Sequence, residues 1–149
     1  MKHKVLLSLL LAVVMLFTLA APALAKPIKG TLTNFLAPAE ATGKYSHRVT
    51  RDNYFKVTVA IVGGLPNTEH TVSVYSSGLS NPDGIVYQEV VGVFTTNSGG
   101  RGRLSGFATI DGVGTGRKEF TTGDWLIDIR VTANFDLQFN SDNDWVTFD

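Results

Sequence analysis

From residue 26 onwards, hydrophobic and polar positions alternate with a period of two over most of the chain. The alternation is clearest in Trp125–Thr132, and it returns in Phe55–Ile61 and in Val72–Tyr75. No segment of this region shows the i, i+3, i+4 spacing of an amphipathic helix. Because consecutive side chains of a strand point to opposite faces of a sheet, the pattern predicts an all-β protein. Both faces of Phe55–Val62 become apolar towards its end, which predicts a central strand.

Turn-forming residues divide this pattern into about eight or nine short strands. Further strands are expected at Ile28–Leu36, Ile85–Thr96, Arg101–Ile110, Phe135–Phe139 and Trp145–Phe148. Clusters of Gly, Asn, Asp and Pro predict a turn at Ser80–Gly84, a hairpin at Asn97–Gly100, a bend near Gly92 and a turn at Asn140–Asp144. Many short strands in one domain indicate a sandwich or a barrel, and we predict an antiparallel two-sheet sandwich.

The first 25 residues have the three parts of a secretory signal peptide. Met1–Lys4 is positively charged, Val5–Ala20 is apolar, and Ala23–Ala25 has the Ala-x-Ala form of a cleavage site. The apolar run is shorter than the ~20 residues that span a bilayer, and Pro22 interrupts it. We therefore expect cleavage after Ala25, a secreted or cell-envelope location and no membrane attachment after cleavage.

The composition of the chain excludes several kinds of partner and site. The 13 Lys and Arg balance the 13 Asp and Glu, so the basic stripe that nucleic acids require and the polybasic patch that anionic membranes attract are not expected. The chain has no cysteine, which rules out disulfides, thiolate nucleophiles and Cys-ligated zinc. Residues 26–149 are enough for one domain with its own hydrophobic core.

The segment Gly64–Val72, which reads GLPNTEHTV, resembles the corner between the sheets of fibronectin type III domains and of small secreted bacterial immunoglobulin-like domains. Those corners typically read Gly-Leu-Pro-Pro-Asn-Thr-x-Tyr, so His70 stands where the family has tyrosine. Residues Gly92–Thr96, followed by Gly100–Gly102, also resemble the bacterial domains. The resemblance implies an immunoglobulin-like sandwich whose corner side chain bonds to upstream backbone. It implies no particular activity, because such sandwiches host many functions.

Two histidines, His47 and His70, follow residue 25. An imidazole can donate one hydrogen bond as a tyrosine hydroxyl does, so we predict that His70 is a structural residue that pins the corner. The alternatives are a metal ligand and a pH switch, but His47 has no acidic cluster near it in the sequence. We therefore expect no histidine metal site.

No sequence signature of hydrolytic chemistry is present, and calcium binding is left open. Ser105 lies in Gly102–Gly106, whose spacing differs from the Gly-x-Ser-x-Gly of serine hydrolases, so we place it on a solvated strand face. Asp142 and Asp144 offer carboxylates to calcium, but the Gly and Glu of an EF-hand loop are missing. The competing interpretation of these two residues is a turn rich in Asn and Asp. We expect no catalytic residue and no cofactor.

Two basic glycine loops, residues 99–103 and 116–118, could form a polyanion site if they met. Consecutive loops of a meander lie at opposite ends of a sheet, so we expect each loop to be a solvated turn.

The aromatic residues that could stack on a sugar are expected to lie apart. Tyr54 and Tyr75 point away from the apolar faces of their strands, and the predicted corner puts those strands in different sheets. Trp125 shares its face with apolar residues and should lie in the core, while Tyr87 and Trp145 are expected as single exposed aromatics.

These expectations together describe a non-catalytic, secreted or cell-envelope module that binds an unidentified protein or polysaccharide, or that builds a matrix. The alternative is a small carbohydrate-active or hydrolytic module with an unrecognised site. The lack of an acid–base constellation in the sequence favours the first interpretation.

Overall fold

The computed structural model describes residues 26–78, 87–109, 116–142 and 144–148. This part of the chain contains nine strands and no helix, which confirms the all-β prediction. The strands are β1 (Ile28–Asn34), β2 (Thr42–Val49), β3 (Phe55–Val62), β4 (Glu69–Gly78), β5 (Tyr87–Thr95), β6 (Gly102–Phe107), β7 (Gly123–Ala133), β8 (Asp136–Asn140) and β9 (Asp144–Phe148). Within the same ranges no helix could cross a membrane. The expected signal peptide and the Ser80–Gly84 turn lie outside the described residues.

The strands form one continuous antiparallel sheet. Their order is β5-β4-β7-β8-β1-β2-β3-β6, and β9 pairs with β7 next to β8. β1 links the two halves, because residues 28–32 pair with β2 while Thr33 and Asn34 pair with β8. The predicted division into two separate sheets is therefore not confirmed. Hydrophobic alternation defines the faces of each strand but not its neighbours, so it could not reveal a strand that is shared between both halves.

The sheet curls until its end strands, β5 and β6, approach each other. A Cβ on Gly106 would lie 2.8 Å from the carbonyl oxygen of Val91, and a Cβ on Gly102 would overlap the ring of Phe94. Glycine therefore permits this approach. Asn97–Gly100 makes the turn between these strands, but the predicted hairpin is wrong for the described residues, since β5 pairs with β4 and β6 pairs with β3.

The predicted bend of β5 is present at Gly92. The pairing of β5 with β4 shifts by one residue there, because Val72 pairs with Gly92 whereas Ser73 pairs with Val90. Gly92 has a φ of 154°, which L-residues rarely adopt. The resulting bulge bends β5 where it comes nearest to β6.

Two predictions near the C-terminus are wrong. Asn134 and Phe135 have φ values of 52° and 68° and form the two-residue turn between β7 and β8, so Phe135 belongs to a turn and is fully exposed. Asn140–Asp144 does not reverse the chain, because β8 and β9 both run antiparallel to β7 and follow one another along it. Turn-forming residues mark an irregularity in both places, but they do not indicate how the chain continues.

The hydrophobic core lies on the enclosed side of the curled sheet. The alternating apolar residues of β3, β4 and β7 all point into it, as predicted, and β3 is central between β2 and β6. Trp125 is buried, also as predicted. The largest fully buried apolar side chains are Phe55, Phe120, Phe139, Phe148, Ile61, Ile127 and Ile129. Burial of each such side chain contributes about 1.5–3 kcal/mol, so this core dominates the stability.

Candidate functional site

A pocket of about 560 Å³ lies beside the first residues of β3 and β5. This volume is typical of small-ligand sites, which range over roughly 300–1,000 Å³. The lining combines two phenol rings, two carboxyl groups, two cationic groups and one amide, provided by Tyr54, Tyr87, Gln88, Glu89, Arg117, Lys118 and Glu119. Tyr54 and Tyr87, which the sequence interpretation kept apart, therefore share one site.

Residues 117–119, which precede Phe120, form one wall of the pocket. Backbone hydrogen bonds attach this segment to its neighbours. The N–H of Lys118 donates to the carbonyl of Ala108 at 2.8 Å, and the N–H of Phe120 donates to the carbonyl of Asn53 at 3.0 Å. Phe120 is 2% exposed and fixes the segment to the core. Because Phe120 is packed in the core, the charged residues that precede it are held in place beside the pocket.

Glu89 is the buried acid of the pocket. It follows the alternation of β5 and occupies an inward position, where only 2% of the residue is exposed. Its Oε1 forms an ion pair with Nζ of Lys118, and the hydroxyl of Ser76 donates to Oε2 at 3.2 Å. Burial raises the pKa of Glu89, while the contacts with Lys118 and Ser76 act in the opposite direction. Both carboxylate oxygens therefore have partners within the protein.

Lys118 is surrounded by aromatic rings. Its Nζ lies 4.4 Å from the ring centroid of Tyr87, 5.1 Å from that of Phe120 and 6.0 Å from that of Trp125. Cation–π attraction of this kind is strongest when the ammonium is desolvated. The prediction that residues 116–118 form a merely solvated turn is therefore wrong for Lys118, because a lone charge in a loop gives no sign of the buried acid it will meet.

Arg117 has a different environment from its neighbour. Its guanidinium carbon lies 4.1 Å from the ring centroid of Phe107 and 5.7 Å from that of Tyr54. In the described part of the chain it forms no ion pair. A guanidinium that stacks on a ring uses its face for that contact and keeps the N–H groups at its edge for hydrogen bonds. Arg117 is therefore the cation of the pocket that is suited to a ligand.

A second polar cluster lies between β2 and β9. The hydroxyl of Tyr45 donates to Oδ2 of Asp144 at 2.7 Å, and Nε2 of His47 lies 3.3 Å from the same oxygen. His47 is 2% exposed, and its ring lies next to the rings of Tyr45 and Phe55. Burial lowers the pKa of His47, although Asp144 opposes the shift. Burial and Asp144 both raise the pKa of Tyr45. The low exposure of His47 indicates that this cluster is structural.

Sequence reasoning missed this cluster because it missed β2 altogether. The available signal was the alternation of Tyr45, His47 and Val49 with Ser46 and Arg48. Histidine and tyrosine at inward positions weaken the contrast between the two faces of a strand, so the period of two is easily overlooked.

His70 is fully buried in the corner between β3 and β4. Its Nδ1 lies 2.9 Å from the carbonyl oxygen of Thr68, so it donates to upstream backbone as predicted. The ring stacks on Phe94 with centroids 5.3 Å apart. The other ring nitrogen, Nε2, is buried without a hydrogen-bond partner among the described residues.

The calcium candidates Asp142 and Asp144 have different surroundings. Asp142 is exposed, whereas Asp144 accepts the hydrogen bonds of Tyr45 and His47. Among the residues that the structure describes, no three His, Asp or Glu side chains are grouped in a way that could hold a metal ion.

The remaining candidates lie away from the pocket. Ser105 is exposed on β6, as predicted, and its hydroxyl is 2.9 Å from that of Thr58. Tyr75 packs against Arg130, whose guanidinium carbon is 4.0 Å from the ring centroid. Trp145 is 57% exposed on β9. None of these side chains lines the pocket, so each stays a separate surface feature.

Comparison of the chain with models of known protein families, with curated proteins and with solved structures finds no match.

Proposed function

We propose that this protein is a non-catalytic, secreted or cell-envelope module that binds a polysaccharide in the pocket between Tyr54 and Tyr87. The observation that supports the proposal is the combination of two phenol rings with Gln88, Arg117 and Glu119 in one open cavity. Aromatic rings provide large, rigid contact surfaces for the apolar faces of sugar rings. The polar groups around them can exchange hydrogen bonds with sugar hydroxyls, and a few such groups orient a ligand.

A polysaccharide-binding assay with matched tyrosine variants tests this function. We expect Tyr54→Ala and Tyr87→Ala each to weaken binding roughly fivefold or more, because a lost aromatic contact is worth about 1 kcal/mol. Tyr75→Ala is the control, since Tyr75, like the two pocket tyrosines, lies next to a cationic side chain but does not line the pocket. Binding that is insensitive to both pocket variants, or equally weakened by the control, would assign recognition to another surface. Binding to a protein partner alone would also refute the proposal.

The second candidate function is glycoside hydrolysis with Glu89 as the general acid. The observation in its favour is that burial raises the pKa of Glu89, as acid catalysis requires. The ion pair with Lys118 argues against it, because it occupies one carboxylate oxygen and opposes the shift. Release of reducing ends from a polysaccharide, abolished by Glu89→Gln, would establish the enzyme and overturn the binding module.

The proposed location rests on the signal-peptide pattern of the first 25 residues. We expect the native protein to begin at Lys26, which intact-mass measurement can determine. A mature form that retains Met1 would contradict export by this route.

A kinship with immunoglobulin-like domains is part of the same proposal. Its support is the corner sequence Gly64–Val72 together with the buried His70 that donates to upstream backbone. The residue that the family has at this position tests the kinship: His70→Tyr should have a urea midpoint close to that of the wild type, and a large loss of stability would contradict it.

A further inference from the structure

We infer that the ligand of the pocket is a carboxylated saccharide and that Arg117 pairs with its carboxylate. The inference rests on the proposed polysaccharide binding and specifies the ligand class of that site. It follows from which charged groups of the pocket are already paired within the protein and which are left for a ligand.

The first step concerns the charges that the protein satisfies internally. Lys118 and Glu89 neutralise each other, and the rings around Lys118 restrict its access to solvent. This pair therefore contributes no net charge to a ligand. The groups that remain are the guanidinium of Arg117, the carboxylate of Glu119 and the amide of Gln88.

The second step concerns the geometry of Arg117. The contacts with Phe107 and Tyr54 hold the guanidinium at the pocket, so little rotamer freedom is lost when it binds. Its N–H groups form a planar fork that matches the two oxygens of a carboxylate. In the described residues no acidic side chain forms an ion pair with this fork.

The third step distinguishes a sugar acid from a simple anion. Glu119 carries a negative charge in the same lining, and it would repel the double charge of sulfate or phosphate more strongly than the single charge of a carboxylate. A carboxylated sugar places its single charge at one edge, and its hydroxyls can donate to Glu119 and Gln88 at another. The rings of Tyr54 and Tyr87 can pack against the sugar ring of the same ligand.

Oligosaccharides that differ only in esterification test the inference. Binding of oligogalacturonate, oligoalginate and hyaluronan fragments to the purified protein is compared by calorimetry with binding of their methyl esters. We expect at least one acid to bind at least tenfold more tightly than its ester. Arg117→Gln should remove this preference, and Arg117→Lys should restore only part of it because an ammonium cannot pair through two N–H groups. The control is Arg103→Gln, since Arg103 is an exposed arginine outside the pocket lining.

The outcomes separate the two proposals. Equal binding of acid and ester would overturn the carboxylate assignment, and so would a preference for the acid that survives Arg117→Gln. Polysaccharide binding would still stand in these cases if Tyr54→Ala weakens the binding of both the acid and the ester. Binding of neutral glycans alone would likewise overturn the carboxylate assignment and leave polysaccharide binding standing. Failure of every glycan, acidic or neutral, would overturn both proposals. Tighter binding of an oligoglutamate peptide that depends on Arg117 would assign the pocket to acidic peptides instead.

Discussion

His47 and Asp144 lie 97 residues apart in the chain, and Nε2 of His47 is 3.3 Å from Oδ2 of Asp144. The hydroxyl of Tyr45 donates to the same oxygen at 2.7 Å. These contacts connect β2 with β9, two strands that do not pair in the described part of the sheet. Side chains therefore tie the C-terminal strand to the half of the sheet that lies across the core.

The buried position of His47 predicts a loss of stability in acid. Burial lowers its pKa below the ordinary value of 6.5, so the unfolded chain takes up a proton at a higher pH than the folded chain does. The contribution of His47 should be complete above pH ~6.5 and should decrease as the pH falls towards the lower folded pKa, by at most about 1.4 kcal/mol per pH unit. Urea unfolding between pH 7.5 and 5 measures this slope. His47→Phe keeps an aromatic ring but cannot take up a proton, so its free energy of unfolding should decrease less between pH 7.5 and 5. An identical decrease in wild type and variant would mean that other groups cause it.

The pair of Glu89 and Lys118 predicts strong coupling between two substitutions. Lys118→Met should cost about 3–5 kcal/mol at neutral pH, since it leaves a buried carboxylate without its partner. Adding Glu89→Gln should recover much of that loss. Because burial raises the pKa of Glu89, the folded Lys118→Met variant should take up a proton first, and its deficit should shrink as the pH is lowered. Denaturant unfolding of the four proteins at pH 7 and pH 5 gives the coupling energy. Additive effects at both pH values would show that the ion pair is weak.

The corner predicts an order of stability among His70 variants. His70→Ala removes the bond to Thr68 and leaves a cavity against Phe94, for an expected loss of about 2–4 kcal/mol. His70→Phe also loses the bond, but it keeps the stacked ring and removes the buried nitrogen that has no described partner, so it should be affected less. Urea midpoints measure the order. An alanine variant as stable as the wild type would refute a structural role for His70.

The close approach of β5 and β6 predicts that an added methyl group is tolerated at one glycine and not at another. Gly106→Ala places a Cβ 2.8 Å from the backbone oxygen of Val91, which cannot move aside as a side chain can, and we expect a loss of about 1–3 kcal/mol. Gly99→Ala in the connecting turn is the matched control, because its nearest contact is Asn97 Oδ1 at 3.4 Å. Thermal unfolding compares the two. Equal melting temperatures would indicate that the strands lie farther apart than the structure places them.

The sequence by itself determined most of the extended segments and which of their residues point inwards, but it did not reveal β2. The alternation in Phe55–Ile61 and Trp125–Val131 predicted buried faces that the structure confirms, because a strand's period of two is a local property of the backbone. The bend at Gly92 and the hydrogen bond from His70 to upstream backbone were also predictable, since each depends on residues close together in the chain.

Only the tertiary structure decided which strands are neighbours and which polar residues meet. The sharing of β1 between β2 and β8, the contact of His47 with Asp144 and the union of Tyr54, Tyr87 and Arg117 in one pocket all join distant segments. The periodicity of each strand is compatible with several pairings, and the choice among them depends on how all the faces bury their apolar area together. The candidate site follows from that choice, because each of its walls comes from a different part of the chain.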